Sequence, residues 1–560
     1  MNKINPLVIL TSIIFYAISI LTYKFDPDFN LKWLTLFLSL IPLLLVLTAW
    51  SFSLFPSRKK MRKKLLAINS YGLLAIVVLA IITRFTLLSA YPLVSVGDEL
   101  RDGGLNALEI AQGQTKNIFK YGRYNAHGLI IPTITSFFYK IFQSSVLVYR
   151  FPAALFSVLD ILLIYVLISF LTKNKIASFL GAMCLIALPL HLFYSRTEIV
   201  VILSSFLSTT LLLTLFVFFH RKMKKVIDYM SLGTLIGFTF NFHASIKAMS
   251  LLVLITIIFS ACYQWLSREL KLKQLSLRLF LLLLFVLIGF GPRLLNTLSI
   301  ESFLHTTRVP VVAEKQFDFT SLDLQKLATN YKKSLLVWIS EPTQSWYPDH
   351  KPILSPILFS LMLIGIIVGF IKKNRFLITV ALITLALHLS NSALTDIING
   401  DHRLSPLFPI SPVFIGNGIA YIIKKIKIKP IKYVFALTLC LVLIYQTSLF
   451  FIDQPSNKNK DVGDYLSMHA IYLIKSNDDL NKSEQLTFLV SPSNFEKYNF
   501  LHYQEQYRFF LPNKKIVVEN RNNIDNDAIY IKNDSNPVVR QYVMKCEGKN
   551  SFYCPVNPQE

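Results

Sequence analysis

The chain has 560 residues, of which 53% are hydrophobic, 13% aromatic and only 16% charged. That balance excludes a soluble globular protein, because a water-facing surface needs far more polar side chains. The net charge of +25 raises nucleic acid as a partner, and the positions of the charges exclude it.

Apolar runs of ~18 or more residues read as transmembrane helices, since ~20 residues rising 1.5 Å each cross a ~30 Å hydrocarbon core. About thirteen are predicted, at roughly 7–22, 33–53, 69–90, 148–171, 176–194, 198–219, 227–243, 248–266, 279–297, 353–371, 376–394, 404–423 and 433–452. The first has only Lys3 before it and no small-residue cleavage site, so it is expected to be a retained helix. The short loops 57–64, 173–175, 221–225, 268–278, 372–375 and 424–432 hold 24 of the 57 Lys and Arg. They follow alternate helices, which is the positive-inside pattern. The N-terminus is therefore expected in the cytoplasm, with the loop at Asp98 and the C-terminal tail outside. The basic excess then serves topology and attraction to anionic membrane lipids, not nucleic acid.

Residues 1–68 form two apolar helices and a basic hairpin loop, an accessory pair without catalytic-looking side chains in the membrane. Residues 69–452 form the main membrane module, with outer loops at 91–147 and 298–352. The first outer loop opens on the carboxylate pair Asp98 and Glu99, followed by Arg101 and Asp102 and a helix-like run to Gln114. Acidic groups this close to a bilayer are costly unless partnered or used. The stretch 127–143 is apolar but short, holds Pro132 and Lys140, and reads as a helix lying at the interface. Read as a full span, it would reverse every later basic loop.

Downstream, polar side chains recur at the same outer ends of the helices. Arg150 opens the fourth long run, and the next ends in HLFYSRTE with Arg196 and Glu198. His243 and Lys247 stand four apart on one helical face. Arg293 ends another run. The 298–352 loop carries Trp338, Glu341, Trp346, Tyr347, Asp349 and His350. His402 and Arg403 precede Pro406, Pro409 and Pro412, which should break or kink the next helix start. From Asp453 the composition turns to Asn, Lys, Asp and Ser. Strands are expected at 486–490, 515–518 and 528–531 and helices at 464–475 and 494–507, a small outer α/β domain over 453–560. Cys184, Cys262 and Cys440 read as packing residues. Cys546 and Cys554 are spaced so that an oxidising compartment would permit a disulfide, without requiring it.

Two constellations carry chemistry. Asp98 beside Glu99 supplies a general base for an acceptor hydroxyl or amine, with the neighbour orienting it or holding a cation; the bland alternative is solvated surface charge. Arg150, Arg196, Lys247, Arg293 and Arg403 are each commonly explained as snorkelling cations. As a set on the face that should be poor in positive charge, they suit a departing phosphate. His243 and His402 serve as proton carriers or, more ordinarily, as hydrogen-bonded interface residues. Metal-ligand spacings, Walker loops and GxSxG are absent from the sequence. Of the intramembrane acids Asp160 and Asp228, neither is assigned a role.

Four stretches carry a resemblance: GDELRDGGLNALEIAQGQ, HGLIIPTITSFFYKIFQSSVLVYRFPAALFSVLDILLIYVL, ALPLHLFYSRTEIVV and GDHRLSPLFPISPVFIGNGIAYII. Their order, spacing and shared outer location resemble the GT-C glycosyltransferases. The likeness is to the bacterial branch related to dolichyl-phosphate-mannose–protein mannosyltransferases and the lipid A aminoarabinose transferase, over roughly residues 70–425. The resemblance implies an all-α polytopic fold of GT-C type. It implies an inverting transferase with a polyprenyl-phosphate sugar as donor, Asp98 as acid/base beside Glu99, and Arg150, Arg196 and Arg403 facing the lipid phosphate. A divalent cation (Mg or Mn) is admitted but not required, and the acceptor is a protein, lipid or glycan. Arg101, Asp102, His243, Lys247 and His402 complete the expected substrate-binding set. The chain departs from the pattern in its two extra N-terminal helices, in Asn125-Ala126-His127-Gly128 before the surface helix and in Arg101-Asp102. The competing readings are a lipid-linked sugar flippase and a non-catalytic membrane assembly protein. A flippase needs a charged path across the bilayer, whereas the polar residues here gather on one face.

Overall fold

The computed structural model describes residues 6–26, 28–54, 70–89, 92, 99–119, 128–143, 145–197, 199–291, 293–294, 324–344, 351–394, 398–456, 471, 474–475, 478–492, 495, 507–511, 513–522, 528–533, 541–545 and 556–559. Helices dominate. In chain order they are α1 (Pro6–Phe25), α2 (Lys32–Leu54), α3 (Ser70–Phe85), a π-helix (Glu99–Leu105), α4 (Asn106–Ala111), α5 (Ile130–Phe142), α6 (Val146–Thr172), α7 (Lys175–Ala187) and α8 (Pro189–Tyr194). They continue with α9 (Ile199–His220), α10 (Val226–Thr239), α11 (Ala244–Leu266), α12 (Leu272–Phe290), α13 (Leu324–Leu336), α14 (Pro356–Ile371) and α15 (Arg375–His388). A second π-helix (Leu389–Ala393) that extends α15 to a 19-residue apolar span, a 3-10 helix (Asp401–Leu407), α16 (Ile410–Lys425) and α17 (Lys429–Ser456) complete the bundle.

Among the described residues, eight helices are long and apolar enough to cross a membrane, or nine if the bent pair Asp401–Leu407 and Ile410–Lys425 is one span. The chain is a multi-pass membrane protein. Four of the thirteen expected runs, α3, α7, α10 and α14, form apolar helices of 13 to 16 residues, short of that length. The 44° bend falls at Pro409, where the proline run was expected to interrupt a helix. The helix expected at 279–297 lies at 272–290 instead. Gly291 takes a left-handed φ of 68° and ends it, and the amphipathic basic start is drawn into the helix. Side-chain caps fix other starts: Ser145 Oγ accepts from the Val148 amide at 3.3 Å and Asn174 Oδ1 from Ala177 at 3.0 Å.

One crossing depends on glycine from both sides. A Cβ at Gly237 would collide with the Val286 carbonyl and one at Gly289 with that of Thr234, so α10 and α12 meet backbone to backbone. Close approach of this kind drives helix association in lipid, where apolar side chains gain nothing from leaving the solvent. The accessory pair docks on the same helices: Val46 packs with Met230, Leu281, Phe285 and Ile288. Trp50 Nε1 and Arg221 Nη1 both donate to Asp228 Oδ1, at 3.0 and 2.7 Å. That gives Asp228 a structural partner set.

The C-terminal region holds a five-stranded sheet: β1 (Gln485–Val490), β2 (Lys515–Asn520), β3 (Ala528–Asn533), β4 (Gln541–Lys545) and β5 (Val556–Gln559), in the order β2-β1-β3-β4-β5. β1 and β2 are parallel, with Thr487 opposite Val517, and the remaining pairs are antiparallel. All three expected strands are present. The helices expected at 464–475 and 494–507 lie mostly outside the described residues, as do Cys546 and Cys554. Leu486 and Phe488 of the sheet share a buried cluster with Tyr507 and Phe509, and with Leu100, Leu105 and Tyr149 of the membrane module. The sheet region is thus packed directly on the carboxylate segment.

Candidate active site

Asp98 lies outside the described residues, as do Glu198 and the side chains of Arg101 and Asp102. Glu99 is described, at the first position of the π-helix. Its Oε1 accepts from Arg150 Nε at 2.9 Å, and each side chain is 1% exposed. Arg150 Nη1 donates further to the carbonyls of Leu88, at 3.1 Å, and Pro92, at 2.9 Å. One guanidinium therefore binds both ends of the stretch from the exit of α3 to the carboxylates. Burying the pair costs desolvation of two charges, which the direct contact and the added carbonyl bonds offset.

Arg196 acts on the same segment. Its Nη1 donates to the carbonyls of Thr83 (2.9 Å) and Arg84 (3.0 Å), and Nη2 to that of Thr86 (2.6 Å). These are the carbonyls that a helix C-terminus leaves without partners. The guanidinium also lies 5.3 Å from the ring centroid of Phe451. Burial, and secondarily the Arg150 charge, pull Arg196 down from its usual value to about 9, so it stays protonated at neutral pH.

Beneath this lies a polar network that was not assigned from sequence. Asp160 accepts from Ser205 Oγ at 2.6 Å, from Thr209 Oγ1, and from His191 Nε2 at 3.1 Å. His191 Nδ1 faces Arg84 Nη2 at 3.0 Å. Arginine has no acceptor, so Nδ1 must accept and Nε2–H must donate to Asp160. A neutral imidazole thus links a buried cation to a buried carboxylate, and Asp160 has its internal partner.

On the other side of the bundle end, Tyr194 Oη donates to Asp401 Oδ1 at 2.6 Å, and the His402 amide donates to the same atom at 2.7 Å. His402 and His243 stand edge to face with ring centroids 5.7 Å apart. His243 Nδ1 is 2.8 Å from Ser245 Oγ, which lies 3.2 Å from Ser405 Oγ. Arg293 Nη1 donates to the Asn241 carbonyl at 2.8 Å, and its charge reaches Lys247. The main-chain carbonyl of Arg403 accepts from Asn391 Nδ2 at 3.2 Å. A Cβ on Gly128 would fall on the Arg293 guanidinium, so only glycine admits this approach of the α5 start.

The C-terminal sheet region and the carboxylate segment pack together around Tyr139 of α5. Its hydroxyl has no hydrogen-bond partner among the described residues, and burial pushes the phenol well above its usual range, with Tyr149 and Glu99 adding. Phe509 stacks edge-on against Tyr149 at 5.6 Å and tilts against Tyr139 at 6.2 Å. Among the described residues, no three His, Cys, Asp or Glu side chains come together as a metal site.

The structure therefore brings Glu99, Arg150 and Arg196 together, and His243 with His402. Asp160, His191, Tyr194 and Asp401 went unassigned in sequence. Asp401 was signalled by an acid directly before His402 and Arg403, and Asp160 by its mid-helix position. One end of the bundle thus holds a buried carboxylate, Glu99, with Arg150 and Arg196 fastening the same segment to the helices.

The profile of the family described as dolichyl-phosphate-mannose-protein mannosyltransferase matches residues 126–293, the stretch that carries Arg150, Arg196, His243, Lys247 and Arg293. Over that stretch the chain resembles a GT-C glycosyltransferase. Curated protein sequences give no match. Among solved structures, the archaeal oligosaccharyltransferase AglB from Archaeoglobus fulgidus, in complex with an inhibitory peptide and a dolichol-phosphate, aligns at 15% identity and a TM-score of 0.40. That alignment covers 74% of this chain and 58% of AglB, so the chain spans little more than half the length of that protein. ArnT from Cupriavidus metallidurans bound to undecaprenyl phosphate aligns at 14% identity and a TM-score of 0.45, covering 79% of this chain and 76% of ArnT.

Proposed function

We propose that the protein is a membrane glycosyltransferase that moves a sugar from a polyprenyl-phosphate donor to an acceptor on the extracytoplasmic face. In this reading Asp98 takes a proton from an acceptor hydroxyl or amine. The freed lone pair attacks the anomeric carbon as its bond to the phosphate oxygen breaks, inverting that centre, and polyprenyl phosphate leaves. Glu99 positions the segment, and Lys247, His243, His402 and Arg403 face the donor phosphate. The thirteen-span count, the cytoplasmic N-terminus and acceptor selection by the C-terminal region belong to the same reading. A divalent cation is not required by it, because the leaving group is already a phosphate and needs charge neutralisation and positioning alone.

The observation that carries the reading is the buried Glu99–Arg150 pair. It fastens an acidic segment to the bundle through an arginine that lies within the stretch matched by the mannosyltransferase profile. The test is donor turnover in proteoliposomes, with a panel of polyprenyl-phosphate sugars and an envelope extract as acceptor. Native protein should release polyprenyl phosphate with sugar transfer, and Asp98→Asn should lose it by about 100-fold or more. Transfer that survives Asp98→Asn removes the base assignment. Lipid-linked sugar that changes leaflet with no donor consumed removes the enzyme reading.

A further inference from the structure

A second site lies at the opposite end of the bundle. The connections α9–α10, α11–α12 and α14–α15 meet around a cavity of about 980 Å³. It opens at His220, the last residue of the 22-residue α9, which places it roughly 33 Å along that helix from the end beside Arg196. Lys222 and Lys224 line it from the first connection, Arg278 from α12, and Lys373 and Arg375 from the third. Glu269 is the one carboxylate among the described lining residues. Arg278 donates to the carbonyls of Met223 (3.1 Å) and Lys224 (3.3 Å), so it holds the first connection against the cavity. The floor is aromatic, with Phe216 and Phe376 edge to face at 5.3 Å.

Gln264 narrows the ligand chemistry. It lines the cavity and is 4% exposed, and its Nε2 donates to the Lys222 carbonyl at 3.1 Å. Its Oε1 has no hydrogen-bond partner among the described residues. A buried acceptor without a donor is costly, and a bound hydroxyl or amine would satisfy it. Five cations ask for an anion, and the N-terminus of the 14-residue α15, at Arg375, adds its dipole. Two residues from Gln264 and from Lys373 stand Leu266 and Ile371, 70% and 74% exposed, apolar side chains suited to contact with an apolar tail. The ligand is thus anionic, carries an O–H or N–H, and continues into an apolar tail.

We propose that this cavity binds the headgroup of an anionic glycerophospholipid. The phosphate sits among Lys222, Lys224, Lys373 and Arg375, the headgroup hydroxyl donates to Gln264 Oε1, and the acyl chains lie along Leu266 and Ile371. A basic pocket between helices beside the membrane surface is the setting in which such headgroups bind. The site stands apart from the glycosyltransferase reading, and its test needs no sugar donor.

The test titrates the full-length protein in detergent with short-chain phosphatidylglycerol, phosphatidylmethanol, phosphatidylcholine and sn-glycerol 3-phosphate, read by native mass spectrometry. Phosphatidylglycerol should bind in preference to the other three. The combined Lys222→Gln, Lys373→Gln and Arg375→Gln variant should weaken it at least about ten-fold. Lys427→Gln, in the basic connection after α16, combined with Lys432→Gln, in the first turn of α17, should leave it unchanged. Gln264→Leu should erase the advantage over phosphatidylmethanol, which has the same charge and no hydroxyl. Equal weakening by the control pair would overturn the proposal in favour of diffuse attraction to basic loops. Binding of glycerol 3-phosphate as tight as the lipid would overturn the lipid assignment in favour of a soluble phosphate ester.

Discussion

Tyr194 donates to Asp401 at 2.6 Å across 207 residues of sequence, and the pair joins the two halves of the candidate site. The short stretch Pro189–Thr197 sends His191 to Asp160 and Arg84, Tyr194 to Asp401, and Arg196 to the end of α3. Tyr194→Phe leaves a fully buried carboxylate oxygen with one donor fewer. The expected cost is about 1–3 kcal/mol, seen as a lower thermal unfolding midpoint in detergent. An unchanged midpoint would show that the bond contributes nothing net.

Glu99→Gln should destabilise the protein more strongly, by about 3–5 kcal/mol, because it strands the Arg150 cation in a site that is 1% exposed. Glu99→Gln combined with Arg150→Met should recover part of that loss, since neither charge then remains buried. A double variant as unstable as the sum of the two singles would mean that the pair is not coupled. Arg150→Lys is expected to fall between, because one ammonium cannot reproduce the bonds to Glu99, Leu88 and Pro92.

Apolar run length made the helical, membrane-spanning character legible, and short apolar, β-branched and aromatic runs in a polar tail made β1 to β3 legible. The roles of Arg150 and Arg196 were not. A cation at a helix mouth looks the same in sequence whether it meets a phosphate or the main-chain carbonyls of residues 83–92, since carbonyls leave no residue signature. Asp160 and His191 sit 31 residues apart on separate helices, and only the crossing of α6 with α8 brings them within reach. The helix boundary at Gly291 was missed because hydropathy continues past it, whereas backbone conformation does not.

The Asp160 network gives a third expectation. Asp160→Leu removes the carboxylate that receives His191, Ser205 and Thr209, and takes from Arg84, at 0% exposure, the carboxylate that offsets its charge among the described residues. The loss should be about 3–5 kcal/mol, and Arg84→Met in the same chain should restore part of it. Measured by thermal unfolding, Asp160→Leu alone at native stability would show that Arg84 needs no carboxylate.

Gly237→Leu tests the crossing that carries the accessory helices. The new side chain would meet the Val286 carbonyl and push α10 from α12, where Met230, Leu281 and Phe285 also receive Val46 of α2. Overpacking of this kind costs about 1–3 kcal/mol or more. The measurement is cysteine cross-linking between α2 and α12 in membranes, which should fall in Gly237→Leu relative to the native glycine. Equal cross-linking in Gly237→Leu would show that α10 and α12 tolerate a wider gap than their backbone contact implies.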